Sequence, residues 1–355
     1  MEDRSKMKNP PRLYTHRSGN ATLGGVLLGI GALVAACVAG YAMWSLTQSP
    51  VAPTSADPIG VDEPEPMGIA QTESIEEILG AVQVYVQNKQ YPQATTVLEH
   101  AAAQYPNDQE LQFALGDLYM LQNLHEQAYR QYVLGIEIGP SSAVAEFTAG
   151  TLANMLDQLE LAEMHYNESM RLDPKNPDTP IFLAAIQIKM NQLVNAKINL
   201  ALAGKMSPDR AKIYVMRSEI AMRENNMVIA LEQIRRAIDL EPTEVAWILQ
   251  EARVLKRSGK AEQALNQLAS LPQEYVDLPE TAFIMAECYG MLGRPGDAAS
   301  RLMDVAQKYP RDSKLAFEVA LWLERTGERA DAIEWAKKAI ALGNERAGGW
   351  IESLK

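Results

Sequence analysis

The chain has 355 residues and a formal net charge of −12, from 45 acidic against 33 basic side chains. That sign argues against nucleic acid as a partner, and two cysteines cannot build a disulfide framework. Composition changes sharply along the chain, so the predicted elements are taken in order.

Residues 1–20 form a basic tail, with Arg4, Lys6, Lys8, Arg12 and Arg17 against Glu2 and Asp3. Residues 21–46 are an apolar run of 26 residues, and no charged residue appears between Arg17 and Asp57. At about 1.5 Å per helical residue the run exceeds the roughly 30 Å hydrocarbon core, so it predicts one transmembrane helix. Positive charge before the span and carboxylates after it place the tail in the cytoplasm and the rest of the chain across the membrane. Gly25 with Gly29, and Ala32 with Ala36 and Gly40, form small-residue rows through which two spans could pair as a homodimer. The stretch ending at Cys37 also approaches a bacterial lipobox, which makes a lipoprotein lipidated at Cys37 the alternative. Val38 to Leu46 stay apolar beyond the cysteine and favour a helix that remains in the bilayer. Residues 47–72 hold five prolines and four carboxylates and predict a disordered Pro/acidic linker.

From residue 73 onward a ruler of 34 residues governs the chain. Ala94, Ala128, Ala162, Ala196, Ala230, Ala264, Ala298 and Ala332 keep it without exception. Pro106, Pro140, Pro174, Pro208, Pro242 and Pro310 keep it too, with Val276 in the missing place. Small residues recur at Gly116, Gly150, Ala184, Ser218, Ala252, Ala286 and Ala320, and turn residues at Lys89, Asn123, Asp157, Asn191, Asn225, Gly259, Gly293 and Gly327. Between these marks the apolar residues follow helical spacing, so each unit reads as two short helices. The turn residue takes the left-handed conformation that ends the first helix, and the small residues sit where two helix backbones approach. One pair cannot bury its apolar face alone, and a stack of eight can. Ser74 with Glu77 predicts a capping box for the first helix. Pro272 falls four residues ahead of the ruler, predicting a second helix that ends near Leu271 and a break near 272–278 where the stack bends or loosens. The final "ERAGGWIESLK" predicts a short C-terminal cap.

These tracks resemble the tetratricopeptide repeat family over Ser74 to Asn344. The resemblance implies an all-α fold: a right-handed superhelical solenoid of about eight helix-turn-helix units, filling 73–355 and preceded here by the transmembrane helix. It also implies a concave groove, lined by the first helices, that binds proteins or peptides. The groove positions it assigns include Phe113, Phe147, Phe283 and Phe317, with Met120, Met155, Met222 and Met291 beside them, an apolar lining suited to an amphipathic or extended apolar peptide. Lys212, Arg223, Arg253, Lys256 and Arg257 make a basic stretch on the groove side of units five and six, able to hold an acidic segment.

Nothing in the chain spells catalysis. The four histidines have no metal-ligand spacing and read as surface or half-buried helix residues, and Cys288 reads as a buried small hydrophobe. No cofactor, metal or catalytic residue is expected. The reading is a non-enzymatic scaffold or adaptor anchored in the bacterial inner membrane, its repeats periplasmic. Similar anchored repeat proteins serve envelope complex assembly, in export or biogenesis machinery. The alternatives are a periplasmic holdase-type chaperone for apolar clients and a regulatory subunit recognising an acidic segment.

Overall fold

The computed structural model describes residues 74–353, and every regular element among them is helical. None of these helices is long and apolar enough to cross a membrane. The predicted tail, span and linker, with Cys37 and the small-residue rows, lie outside the described residues. Two compact units divide the chain at Pro174 and Lys175.

The first unit holds three hairpins: α1 (Ile75–Gln87) with α2 (Tyr91–Gln104), α3 (Gln109–Leu121) with α4 (His125–Ile138), and α5 (Ala143–Met155) with α6 (Leu159–Leu172). The second holds α7 (Asp178–Lys189) with α8 (Leu193–Met206), α9 (Ala211–Arg223) with α10 (Met227–Leu240), and α11 (Val245–Arg257) with α12 (Ala261–Ala269). A short α13 (Gln273–Val276) follows, then α14 (Pro279–Met291) with α15 (Pro295–Lys308), α16 (Ser313–Thr326) with α17 (Arg329–Ala341), and a closing α18 (Glu345–Ser353).

The ruler has a direct physical basis in the hairpins. All eight alanines are 0% exposed, because each lies where its helix touches the neighbour's backbone. All eight turn residues have positive φ, from +57° at Lys89 to +89° at Gly327. There the backbone closes a six-residue hydrogen-bonded loop, as in Leu124 N–H to Tyr119 O at 2.9 Å and Gln158 N–H to Ala153 O at 2.8 Å. Asn and Asp tolerate this conformation and glycine adopts it freely. The capping box forms as expected, with Glu77 N–H donating to Ser74 Oγ at 3.3 Å and Ser74 N–H to Glu77 Oε2 at 2.9 Å.

The small-residue track answers to the ring that faces it. A Cβ at Gly116 would lie 2.8 Å from the Tyr132 ring, and one at Gly150 would lie 2.9 Å from Tyr166. One repeat further on, the ring position is Leu200 and the small position is Ala184, which has room for its methyl group.

The second helix of the sixth hairpin ends two residues before the expected Leu271. α12 ends at Ala269 and has nine residues where α10 has 14. The segment after it is pinned. Leu271 and Val276 are buried in the core with Leu249, Leu255 and Leu268. Asp277 accepts from Arg301 Nη2 at 3.0 Å and is ion-paired with Lys308, while Arg301 also donates to Val276 O at 2.7 Å. Two cations of α15 thus hold the chain that precedes α14. At the end of the second unit α18 lies over α16, with Trp350 edge-on to Phe317 at 6.0 Å.

Candidate partner-binding site

The expected groove residues separate into packed and open ones. Phe113 is half-buried with its ring on Gly135, where a Cβ would lie 2.5 Å away, and 5.3 Å from Tyr132. Phe147 is likewise half-buried, 5.4 Å from Tyr166. Phe283 is half-buried beneath Lys314 Nζ at 5.1 Å, and Phe317 is buried under Trp350. Met120 and Met222 are buried and Met155 half-buried. In the first unit this fifth position of the first helix turns toward its own hairpin partner, and in the second unit Phe283 and Phe317 are covered from later helices by Lys314 and Trp350. Met291 alone of these eight is well exposed, at 53%.

The basic stretch is mostly paired. Arg223 Nη1 donates to Ile188 O at 2.6 Å and Nη2 to Glu219 at 2.8 Å. Arg253 pairs with Glu280 and Lys256 with Glu287, each reaching from α11 to α14. Lys212 lies 5.8 Å from the Trp247 ring centre, and burial holds its ammonium below the ordinary value. Arg257 is exposed and has no carboxylate partner among the described residues. Three of the five expected cations on this first-helix face are thus held in ion pairs.

Within that face α14 and α16 leave a shallow hollow of 620 Å³. Its floor is Trp322, whose indole lies so close to Gly290 that a Cβ there would clash with the ring. Arg325 stacks on the same indole at 4.2 Å, and Met291 and Glu287 complete the rim. An aromatic floor, a flexible thioether and a guanidinium beside a carboxylate suit an apolar side chain flanked by polar or acidic groups. Sequence reasoning found Met291 and missed Trp322 and Arg325. The signal was Gly290, the lone glycine on a track otherwise held by Val86, Met120, Asn154, Ile188, Met222, Lys256 and Glu324.

His165 corrects the expectation of a surface or half-buried histidine. It is buried in the first unit, with Nδ1 in a 2.7 Å hydrogen bond with Glu146 Oε2 and Nε2 in a 3.2 Å hydrogen bond with the Tyr129 hydroxyl. Ser141 donates to the other Glu146 oxygen at 2.6 Å, so every member has a partner and the group ties α4, α5 and α6 together. Cys288 is fully buried, as expected, and burial pushes its thiol up to about 11. Among the described residues no group of three or more His, Cys, Asp or Glu side chains is placed to hold a metal ion.

Beside Gly116, burial pushes the Asp117 carboxyl from 3.8 up to about 6, and the bond donated by Tyr132 offsets this only in part. A raised carboxylate contributes stability below its unfolded value that is lost as pH rises through its folded one. The Asp117→Asn variant is therefore expected to be more stable than the parent at pH 7.5 by about 1 kcal/mol after solvent screening, and no more stable at pH 4. Thermal midpoints measured from pH 4 to 8 check this. Parallel profiles would show that Asp117 ionises without cost.

A family profile for the tetratricopeptide repeat matches residues 85–149. A profile for the ChAPs (Chs5p-Arf1p-binding proteins) matches residues 118–280. Among solved structures, a tetratricopeptide repeat protein from Parabacteroides merdae superposes with a TM-score of 0.57 at 13% identity, covering 70% of this chain and 98% of that one. The fold is the tetratricopeptide-repeat fold. Yeast Tom70 aligns with a TM-score of 0.55 at 15% identity, over 81% of this chain and 66% of its own. One chain of the APC/C hetero-tetramer Cut9–Hcn1 aligns with a TM-score of 0.51 at 13% identity, over 79% of this chain and 55% of its own. No curated protein matches the sequence.

Proposed function

We propose that this chain is a non-catalytic adaptor that holds a protein or peptide partner on the first-helix face of its second unit. The hollow of Trp322, Met291 and Arg325 carries this reading, since it places an aromatic floor and a cation on the face where such repeats present ligands. The profile match to proteins named for binding Chs5p and Arf1p supports an adaptor over an enzyme. The apolar run at 21–46 and the basic tail before it support a single-pass tether in the bacterial inner membrane, with the repeats in the periplasm serving envelope complex assembly. A holdase for many apolar clients would need an open apolar face. The rings of Phe113, Phe147 and Phe317 are instead occupied by Tyr132, Tyr166 and Trp350.

The test uses a photo-crosslinking residue at Met291 in the full-length chain in its membrane. One or a few discrete adducts are expected, reduced about tenfold by Arg325→Glu, the size expected for losing one strong interfacial contact. A broad smear of adducts, or adducts indifferent to Arg325→Glu, would overturn the adaptor reading. Alkaline phosphatase fused after Lys355 is expected to be active, and an inactive fusion would overturn the orientation.

A further inference from the structure

A second surface of the second unit lies away from that hollow, along the second helix of a hairpin. A groove of 870 Å³ follows one face of α10 through Met227, Val228, Leu231, Arg235 and Asp239. One end meets Arg257, Ser258 and Lys260 at the turn before the truncated α12, and the other meets Tyr214 of α9. Its walls carry Met227, Val228, Leu231 and Tyr214, and it is lined by four cations, Arg235, Arg236, Arg257 and Lys260, against two carboxylates, Glu232 and Asp239.

The preceding repeat provides the comparison. There Lys197 of α8 is paired with Glu224 at 2.6 Å, and Arg223 with Glu219 at 2.8 Å. The positions 34 residues on are Leu231, Ser258 and Arg257, so the first pair is gone and the remaining cation has no carboxylate. Lys260 has none either among the described residues. Arg236 sits over the Tyr214 ring at 6.0 Å, with Arg217 at 5.5 Å from the same ring. Only Arg235 is neutralised, by Glu251 at 2.8 Å. Val228 at the rim is 80% exposed, more than any other large hydrophobic residue described. With four cations against the carboxylates of Glu232 and Asp239, and only Arg235 ion-paired among the described residues, the groove lining is net positive in a chain of net charge −12.

We infer that this groove is a second docking site, and that its occupant is an acidic peptide segment of a partner protein carrying aliphatic side chains. Charge complementarity selects the carboxylates: Arg257 and Lys260 take them at one end and Arg236 at the other. Concavity selects a peptide over a bilayer, because Leu231 and Tyr214 are half-buried within the groove, where side chains reach and a flat lipid surface does not. Two such surfaces on one unit would let the protein hold two partners at once, one per face.

The test is fluorescence anisotropy with the purified full-length chain and a labelled 14-residue helical peptide of glutamates with a leucine at every third or fourth position. Binding is expected to weaken at least about tenfold in the Arg257→Glu, Lys260→Glu double variant and about threefold in Val228→Ser, with Arg325→Glu unchanged. These positions are solvent-exposed, so the variants keep the fold, which circular dichroism verifies. Loss of crosslinking at Met291 with this binding intact would fail the first site alone. The inference is overturned if the charge reversal leaves affinity unchanged, or if an all-glutamate or a lysine-leucine peptide binds as well. It is also overturned if phosphatidylglycerol vesicles bind more tightly than the peptide through the same residues.

Discussion

Gly150→Ala is expected to destabilise the first unit by about 2 kcal/mol, even though alanine is the better helix former by about 1 kcal/mol. The added methyl group would meet the Tyr166 ring at 2.9 Å, and that ring cannot retreat: it is 0% exposed and its hydroxyl shares a 3.1 Å hydrogen bond with Thr151. Overpacking wins because the neighbour is a rigid ring in a filled core. The chain itself contains the rescue, since Ala184 coexists with Leu200 one repeat on. Combining Gly150→Ala with Tyr166→Leu should therefore cost less than the sum of the two single changes, by about 1 kcal/mol or more. Urea denaturation of the three variants measures this. An additive result would mean that the ring does not dictate the glycine.

Asp277→Asn is expected to cost the second unit about 2 kcal/mol at pH 7, since it removes the negative charge and one of the two oxygens that accept from Arg301 and Lys308, while Arg301 stays largely enclosed. The Lys308 hydrogen bond comes first, then Gln273 and Arg301, in holding the Asp277 carboxyl well below its ordinary value. With a depressed carboxylate, the stabilisation is present above the unfolded value and lost as pH falls toward the folded one. Parent and variant should thus differ most at pH 6 to 7 and converge as the pH drops below about 3. Asp117 slopes the other way, so double titration of the two variants separates them. A constant difference across the acid range would mean that the ion pairs are not what pins the segment after α12.

The cross-repeat ion pairs show where sequence reading ends. Arg253 and Lys256 read as a basic stretch because a helical wheel reports only their own face. Their partners Glu280 and Glu287 lie 27 and 31 residues on, across a connection that departs from the ruler, so no fixed spacing announces them. The phenylalanine track has the same limit. Periodicity places Phe113 on the inner side of α3, and only the packing of α4 shows that Gly135 and Tyr132 receive it. His165 read as unremarkable because its partner Glu146 stands 19 residues earlier on another helix.

The repeat length, the helix-turn-helix unit, the left-handed turns and the buried alanines were all determined by the sequence alone. Each depends on backbone conformation and close helix approach that recur locally every 34 residues. The tertiary structure alone decided which side chains fill the stack and which remain for a partner. Those assignments depend on how helices cross, within a hairpin for Phe113 and between hairpins for Arg253 and Phe317, where packing selects one neighbour among several of equal chemistry. Met291 was left open, Met120 and Met222 were closed, and Arg236, Arg257 and Lys260 were left without an ion-pair partner among the described residues for that reason.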